Sequence, residues 1–434
     1  MNTANSINKL KAKNTKILMK FELIGNAAGI FHGSNGSTIL CDPWVVNGVF
    51  EGSWFHYPPI KTQIKDLQNV NAIYVSHIHP DHYDERYFDF PKDIPLIILD
   101  EGPNFLKKNL LKKGYTNFIE IKDGDTKNFL EFEITLYKPF TGHIYEESLL
   151  GNLIDSAMVL KDNNNIAINF NDNTPDKKAC IKLKQKFKKI DLALLNYSAA
   201  GPYPSCFDNL SEKQKESESN RIIKRNFDHA YEVISILDPQ IAIPFAGAYV
   251  IGGKNHYKNK YLGTATWEEC SDYLKKKLNS STNIVCLREG QILDIANKKS
   301  LELYRKLDMD HMKTYIESLK NHKYDYEYEI EPDFVKLKKD ILDASIKLKE
   351  RMNKFGIELK SNVFLNIEDQ NFQIISGRET EKKIICKMDN RLLRRILDKK
   401  SHWNNAEIGT HISFLRTPNL MEPDVHTCLA FFHL

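Results

Sequence analysis

Four side chains able to hold a metal ion fall within six residues: His77, His79, Asp81 and His82, in the run Ser76-His77-Ile78-His79-Pro80-Asp81-His82. They follow the apolar stretch Ile73-Tyr74-Val75, which reads as the end of a strand Ala72 to Ser76. Residues two apart on an extended chain point the same way, so the imidazoles of His77 and His79 can reach one ion. Pro80 cannot continue a strand ladder, which puts Asp81 and His82 on a turn, aimed at a second ion beside the first. Neutral imidazole with carboxylate suits Zn, Fe or Mn, and two such ions a few ångströms apart can hold a bridging hydroxide. Scattered surface histidines are the bland alternative, and so dense a ligand set directly after a strand argues against it.

Positioning such a cluster needs rigid elements, and the chain supplies them as alternating strands and helices. Short strands are expected at Lys20 to Ile24, Gly29 to Phe31 and Thr38 to Cys41, then at Phe118 to Ile121, Phe129 to Tyr137, Ala157 to Leu160 and Ile166 to Phe170. Further apolar runs follow at Leu192 to Tyr197 and Ile241 to Pro244. Pro103 to Lys113, closed by Gly114, reads as a short amphipathic helix. A long helix N-capped by Ser211 should bury Ile223, Phe227, Ala230 and Ile234 on one face. This alternation, with polar residues gathered at strand ends, predicts α/β layers and a site where strands terminate. The charged, Tyr-rich stretch between 296 and 330 marks a boundary. Beyond it a small α+β unit is expected: a helix Phe334 to Lys354, strands Val363 to Ile367, Phe372 to Ser376 and Lys383 to Lys387, and a helix Asn390 to Leu397. The resulting division is a loose arm over 1–19, a metal-binding catalytic domain over 20–296 and an accessory domain over 297–434.

Composition narrows the function classes. The 434 residues are 41% hydrophobic and 27% charged, ordinary for a globular protein long enough for two domains. Sixty-one basic against 57 acidic residues leave a net charge of +4, too balanced for a nucleic-acid binder, and the run Lys182 to Lys189 reads as a solvated helix face. No 18-residue apolar run predicts a membrane span. The first twenty residues lack the apolar region of a secretory signal, and seven scattered cysteines without a C-x-x-C pair fit neither a disulfide framework nor a thiolate zinc site. A cytoplasmic, reduced chain is the expectation.

The stretch Ser76 to His82 resembles the H-x-H-x-D-H motif of the metallo-β-lactamase superfamily. That resemblance implies a metallo-β-lactamase-type four-layer αββα sandwich, here followed by the smaller C-terminal α+β domain. His77 and His79 would bind the first metal, Asp81 and His82 the second. The next ligand would be a loop histidine, and His143 stands 61 residues after His82; the bridging carboxylate would end a later strand, where Asp172 stands 29 residues further on. The superfamily's last histidine belongs at the strand end Ile241 to Gly247, which has none. His256, after Gly252 and Gly253, is either its replacement or a surface loop residue.

Further stretches are similar to the CMP-N-acetylneuraminate hydroxylase branch of that superfamily: Cys41-Asp42-Pro43-Trp44, Gly48, Phe50, Trp54, Pro58-Pro59, Leu195-Asn196-Tyr197 and Pro244-Phe245-Ala246-Gly247. That branch also carries a Rieske iron–sulfur domain with C-x-H and C-x-x-H ligands, and no cysteine here is followed by histidine at either spacing.

These features predict an enzyme with two divalent transition metals, Zn or Fe and also Mn in range. The expected reaction is hydrolysis by a metal-bound hydroxide of an ester, lactone or phosphoester in a small substrate, with a sugar or nucleotide sugar included, and with Asp81 and Asp172 as catalytic carboxylates. Asp42 is either an outer partner of a ligand histidine or a turn carboxylate. One alternative is a non-haem iron oxygenase fed by an external ferredoxin or reductase. Another is a non-catalytic metal-binding scaffold. Homo-oligomerisation is left open. Trp44, Phe50, Trp54, Phe55, Tyr57 and Tyr203 either line a pocket or pack beneath loops.

Overall fold

The computed structural model describes residues 19–140 and 155–434. His143 and all but the last residue of the N-terminal arm lie outside these; Met19 is buried.

Two large sheets face each other. The first runs in the order Lys299–Ser300, Ile292–Asp294, Lys20–Gly25, Ala28–His32, Thr38–Cys41, Ala72–Tyr74, Leu96–Leu99, Phe118–Ile121. The second runs Asn283–Ile284, Ile241–Phe245, Leu192–Asn196, Ile166–Asn169, Ala157–Lys161, Phe132–Tyr137, Thr126–Phe129. Strand alternation builds the layers. Ala72, Tyr74, Leu192 and Leu194 enter the core between the sheets. Their neighbours Ile73 and Val75 face the helix Phe105–Lys112 on one outside. Ala193 and Leu195 face the helices Lys177–Phe187, Glu212–Leu237 and Trp267–Lys277 on the other. The chain thus adopts the expected four-layer αββα sandwich.

The parallel strands matter most for the site. Thr38–Cys41, Ala72–Tyr74, Leu96–Leu99 and Phe118–Ile121 run parallel in one sheet; Ile166–Asn169, Leu192–Asn196, Ile241–Phe245 and Asn283–Ile284 do so in the other. Their C-terminal ends deliver Asp42, His77, Asp172, Asn196 and Ala246. Side chains at such ends are free of the ladder, which is why ligands gather there. Three of the turns that follow are left-handed at residues other than glycine: Asp42 (φ 41°), Asn171 (φ 49°) and Ala246 (φ 54°). Such backbone costs on the order of 1 kcal/mol each, least for Asp and Asn.

The helix Glu212–Leu237 starts from the expected Ser211 cap, a capping box with Gln214. Its inner face carries Phe227, Ala230 and Ile234 in the core with Ile223 half-buried against them, while Ile222 is buried beside Gly263. The single strand expected over Phe129 to Tyr137 is instead a hairpin, Thr126–Phe129 and Phe132–Tyr137, turning at Leu130 with φ 54°. No glycine or proline marks that turn, so periodicity alone reads straight through it.

Past residue 330, the helix Phe334–Lys354 and the four-stranded sheet Gln370–Ile375, Asn362–Ile367, Lys383–Lys387, Ser413–Thr417 build a core of their own. Residues from earlier in the chain join it. Cys206, Phe207 and Leu210 are buried there with Tyr324 and Tyr326, and Phe414 N donates to Cys206 O at 2.8 Å. Among the described residues no helix is long and apolar enough to cross a membrane.

Candidate metal centre

Each histidine of the motif has one ring nitrogen occupied from outside and the other turned inward. His77 Nδ1 meets Ser76 Oγ at 2.9 Å and Asp155 Oδ1 at 3.1 Å. His82 Nδ1 meets Ser76 Oγ at 3.2 Å and Asp42 Oδ2 at 3.1 Å. His79 uses the opposite nitrogen, its Nε2 pairing with Asn404 Oδ1 at 2.8 Å. A hydrogen bond at one nitrogen fixes the tautomer and leaves the other as a lone pair for an ion.

The inward atoms form two adjoining groups. His77 Nε2 and His79 Nδ1 face each other at 2.9 Å. His82 Nε2 lies 3.5 Å from Asp81 Oδ2 and 3.6 Å from Asp172 Oδ2. Donor atoms of His77, His82 and Asp172 all fall within 4.8 Å of one another. Asp172 Oδ1 is held by Asn196 Nδ2 at 3.1 Å, which also donates to Ala246 O.

The outer shell is itself built from backbone. Ser76 N donates to Asp42 Oδ1 at 2.8 Å, clamping the motif to the end of the neighbouring strand. Ser156 donates to Ser76 O through both N and Oγ, at 3.2 and 3.0 Å, and so sets Asp155 beside His77. Tyr74 Oη, buried between the sheets, ties to Ser156 from below.

Electrostatics favour a cation. Burial, with His82 and His79 nearby, holds His77 well below the usual imidazole range and hence neutral. Burial likewise lowers His79, partly offset by Asp81 and by Asn404. For His82 burial acts the same way, but Asp81, Asp42 and Asp172 outweigh it and hold a proton well above the ordinary range. Three carboxylates around one imidazole make a field that a divalent ion would satisfy better than a proton. His82 Nε2 is also buried without a hydrogen-bond partner. Orphan nitrogen, neutral imidazoles and convergent carboxylates together suit a transition metal.

His256 is not brought to this cluster. Its Nδ1 meets Gly253 O at 3.1 Å and its Nε2 faces Glu317 Oε2 at 3.5 Å. The glycine pair before it does permit a close approach, but to other partners. A side chain at Gly252 would collide with Phe55, and one at Gly253, where φ is +68°, with Tyr324. At the strand end where the superfamily has its last histidine stands Ala246. Neither His256 nor that strand end adds a donor to Asp81, His82 and Asp172; the further histidine beside them is His77, whose donor atom lies within 4.8 Å of those of His82 and Asp172. Sequence reasoning gave no site role to Asp155, Asn404 or Asn196, although Asn196 stands in the stretch Leu195-Asn196-Tyr197 that carries the branch resemblance.

A recess of about 460 Å³ opens onto His79, Asp81 and Asp172. Phe50, Trp54, Tyr249 and Ile408 form its apolar wall, and Trp54 and Tyr249 stack with centroids 3.4 Å apart. Asn196, Ser198, Arg225, Asn226 and His229 form the polar wall. A larger cleft of about 940 Å³ touches only Ile78 and Pro80 of the motif, which supply no ligand atom, so the smaller recess is the one that reaches the chemistry.

No family model matches the chain. It is 31% identical over 241 residues to a Mycolicibacterium smegmatis protein named for a Rieske 2Fe-2S iron–sulfur centre, covering 53% of this chain and 43% of that one. It is 22% identical over 271 residues to the mouse cytidine monophosphate-N-acetylneuraminic acid hydroxylase, covering 59% of this chain and 44% of that enzyme. The chain thus spans less than half the length of these relatives. Among solved structures it is similar to a possible metal-dependent hydrolase from Veillonella parvula, at TM-score 0.45 and 16% identity, over 64% of this chain and 99% of that one. The resemblance to the hydroxylase branch, read from the motif and its flanking stretches, holds.

Proposed function

We propose that this chain, with its metallo-β-lactamase-type sandwich and motif, is a metal-dependent hydrolase acting on an ester, lactone or phosphoester of a small substrate. The carrying observation is the pairing of inward with tethered nitrogens: His77 Nε2, His79 Nδ1 and His82 Nε2 converge with Asp81 and Asp172, while Asp155, Asn404 and Asp42 hold the opposite ring nitrogens. Bound divalent ions would supply Lewis acidity and a water of lowered pKa. Every further contribution is the chain's own. His77 and His79, with His143 as a proposed third, would hold one ion; Asp81, His82 and Asp172 would hold the other. Asp81 Oδ2 would orient the attacking water, and Asp172, steadied by Asn196, would accept its proton. Phe50, Trp54 and Tyr249 shield one side of the reacting group from solvent, and the polar wall across from them receives hydroxyl or anionic groups of the substrate. Hydrolysis by such a site draws on water alone and consumes no electrons.

A second reading, an iron-dependent oxygenase with an external reductant, is favoured by the missing ligand at Ala246, since oxygen chemistry wants open coordination positions. The names of the relatives point the same way. Metal analysis of protein purified without oxygen separates the two. Stoichiometric zinc with turnover of carboxyl or phosphate esters supports the hydrolase. Iron with an oxo-bridge absorption band and reductant-dependent oxygen uptake overturns it.

A further inference from the structure

The partner that fixes His79 comes from the far end of the chain. Asn404 sits on the six-residue helix Trp403–Ile408, and 325 positions separate it from the imidazole it contacts. The helix is pinned on the C-terminal side by Trp403, fully buried, whose Nε1 donates to Glu407 Oε1 at 2.7 Å while its ring meets Phe432. Glu407 Oε1 in turn lies 2.9 Å from His426 Nδ1.

On its other side the same segment is bolted to the layer carrying the metal motif. Trp54 Nε1 donates to Ile408 O at 3.2 Å and Ser53 Oγ to Gly409 O at 2.7 Å. Thr410 O accepts from Asn255 Nδ2 and from the buried ammonium of Lys258, each at 2.9 Å. His411 Nε2 donates to Phe50 O at 2.9 Å. Residues 404–411 thus form a strap with its ends in two cores, and its register sets where Asn404 Oδ1 stands.

We propose that this strap is part of the metal centre: Asn404 is a positioning residue for His79, and occupation of the His77–His79 site and seating of residues 403–411 stabilise each other. This rests on the reading of His77 and His79 as metal ligands and goes beyond it, since it gives the C-terminal unit a role in the site. The coupling is reciprocal by thermodynamic necessity. Holding His79 in the Nε2–H tautomer raises the basicity of Nδ1 and spares the ion the cost of orienting the ring. An ion on Nδ1 makes the Nε2 proton a stronger donor to Asn404 and so tightens the strap. Because Ile408 lies in the wall of the 460 Å³ recess, a loosened strap also opens the pocket beside the carboxylates.

The test titrates the full chain with zinc against a chromophoric chelator, in wild type, Asn404→Leu and Asn404→Asp. Leucine keeps the bulk and removes the acceptor; aspartate keeps a stronger acceptor in the same place. Asn404→Leu is expected to weaken the first zinc equivalent by about 10- to 100-fold, and Asn404→Asp to bind at least as tightly as wild type. Hydrogen exchange at the amides of residues 403–411 slows on adding zinc in wild type and Asn404→Asp, and not in Asn404→Leu. Equal weakening in both variants, no weakening in Asn404→Leu, or exchange indifferent to zinc overturns the proposal. If Asn404→Leu does not fold, the aspartate variant decides: weaker zinc binding than wild type sinks it. A wild type that takes up no zinc, iron or manganese overturns the metal reading itself, an outcome distinct from any of these.

Discussion

Asp42 and His82 face each other with Oδ2 and Nδ1 3.1 Å apart, both side chains fully buried, Asp42 just past one strand and His82 in the turn beyond its parallel neighbour. Burial raises the Asp42 carboxyl and His82 works against that rise, so the pair is held by mutual need rather than by solvent. Truncating Asp42 should leave the His82 ring free to turn. Asp42→Ala is expected to weaken one of two metal equivalents by about 10- to 100-fold while the other is little changed, read by zinc titration with a competing chelator.

Chelation should cost stability as well as activity. An ion held at 100 times its Kd adds about 2.7 kcal/mol to the folded state, so stripping the protein lowers its unfolding midpoint, and adding zinc or iron back restores it. His77→Ala, which removes a donor shared by both groups, should abolish that restoration. Thermal scans with and without metal check this.

The motif was legible because its four donors are contiguous, so a strand followed by a turn suffices to gather them. The strands that carry the site were legible for a related reason: in Leu192–Asn196 every residue but the last is buried, so hydrophobicity alone marks it. The rest required the fold. Asp155, Asn196 and Asn404 reach the site only because Ser156 bonds to Ser76, because parallel strands end in register, and because the strap crosses from the C-terminal core. None of those pairings has a local signal. His256 misled because a glycine pair announces a close approach without naming the partner, and here the partners are Phe55 and Tyr324.

Acid should lower the stability of the fold. Burial lowers His411 and His56 to about 3 each, so both stay neutral in the folded chain where an unfolded histidine would be charged. Between about pH 6.5 and 3 the unfolded state binds the extra proton. Stability is therefore complete above about pH 6.5 and falls with pH by roughly 1.4 kcal/mol per unit for each group, about 2 kcal/mol by pH 5. His411→Gln, which can still donate to Phe50 O, should unfold with a shallower acid dependence than wild type. Urea midpoints at pH 7 and pH 5 measure the difference.

Trp54 joins the pocket wall to the strap through one indole donor. Trp54→Phe keeps most of the ring's stacking on Tyr249 and deprives Ile408 O of its partner. The expected cost is about 1 to 3 kcal/mol in urea unfolding, with metal stoichiometry retained. A loss of metal without a loss of stability would contradict the assigned wall.

The contact between His79 and Asn404 also orders events during synthesis. At roughly 5 to 20 residues per second, the ribosome needs about 16 to 65 s to travel from one to the other. Throughout that interval the histidine loop has left the ribosome without the amide that orients it. An ion captured early would sit on an unsteadied ring and exchange readily with its surroundings. On the proposed reading of His79 as a ligand, firm capture of an ion waits until residues 403–411 have docked.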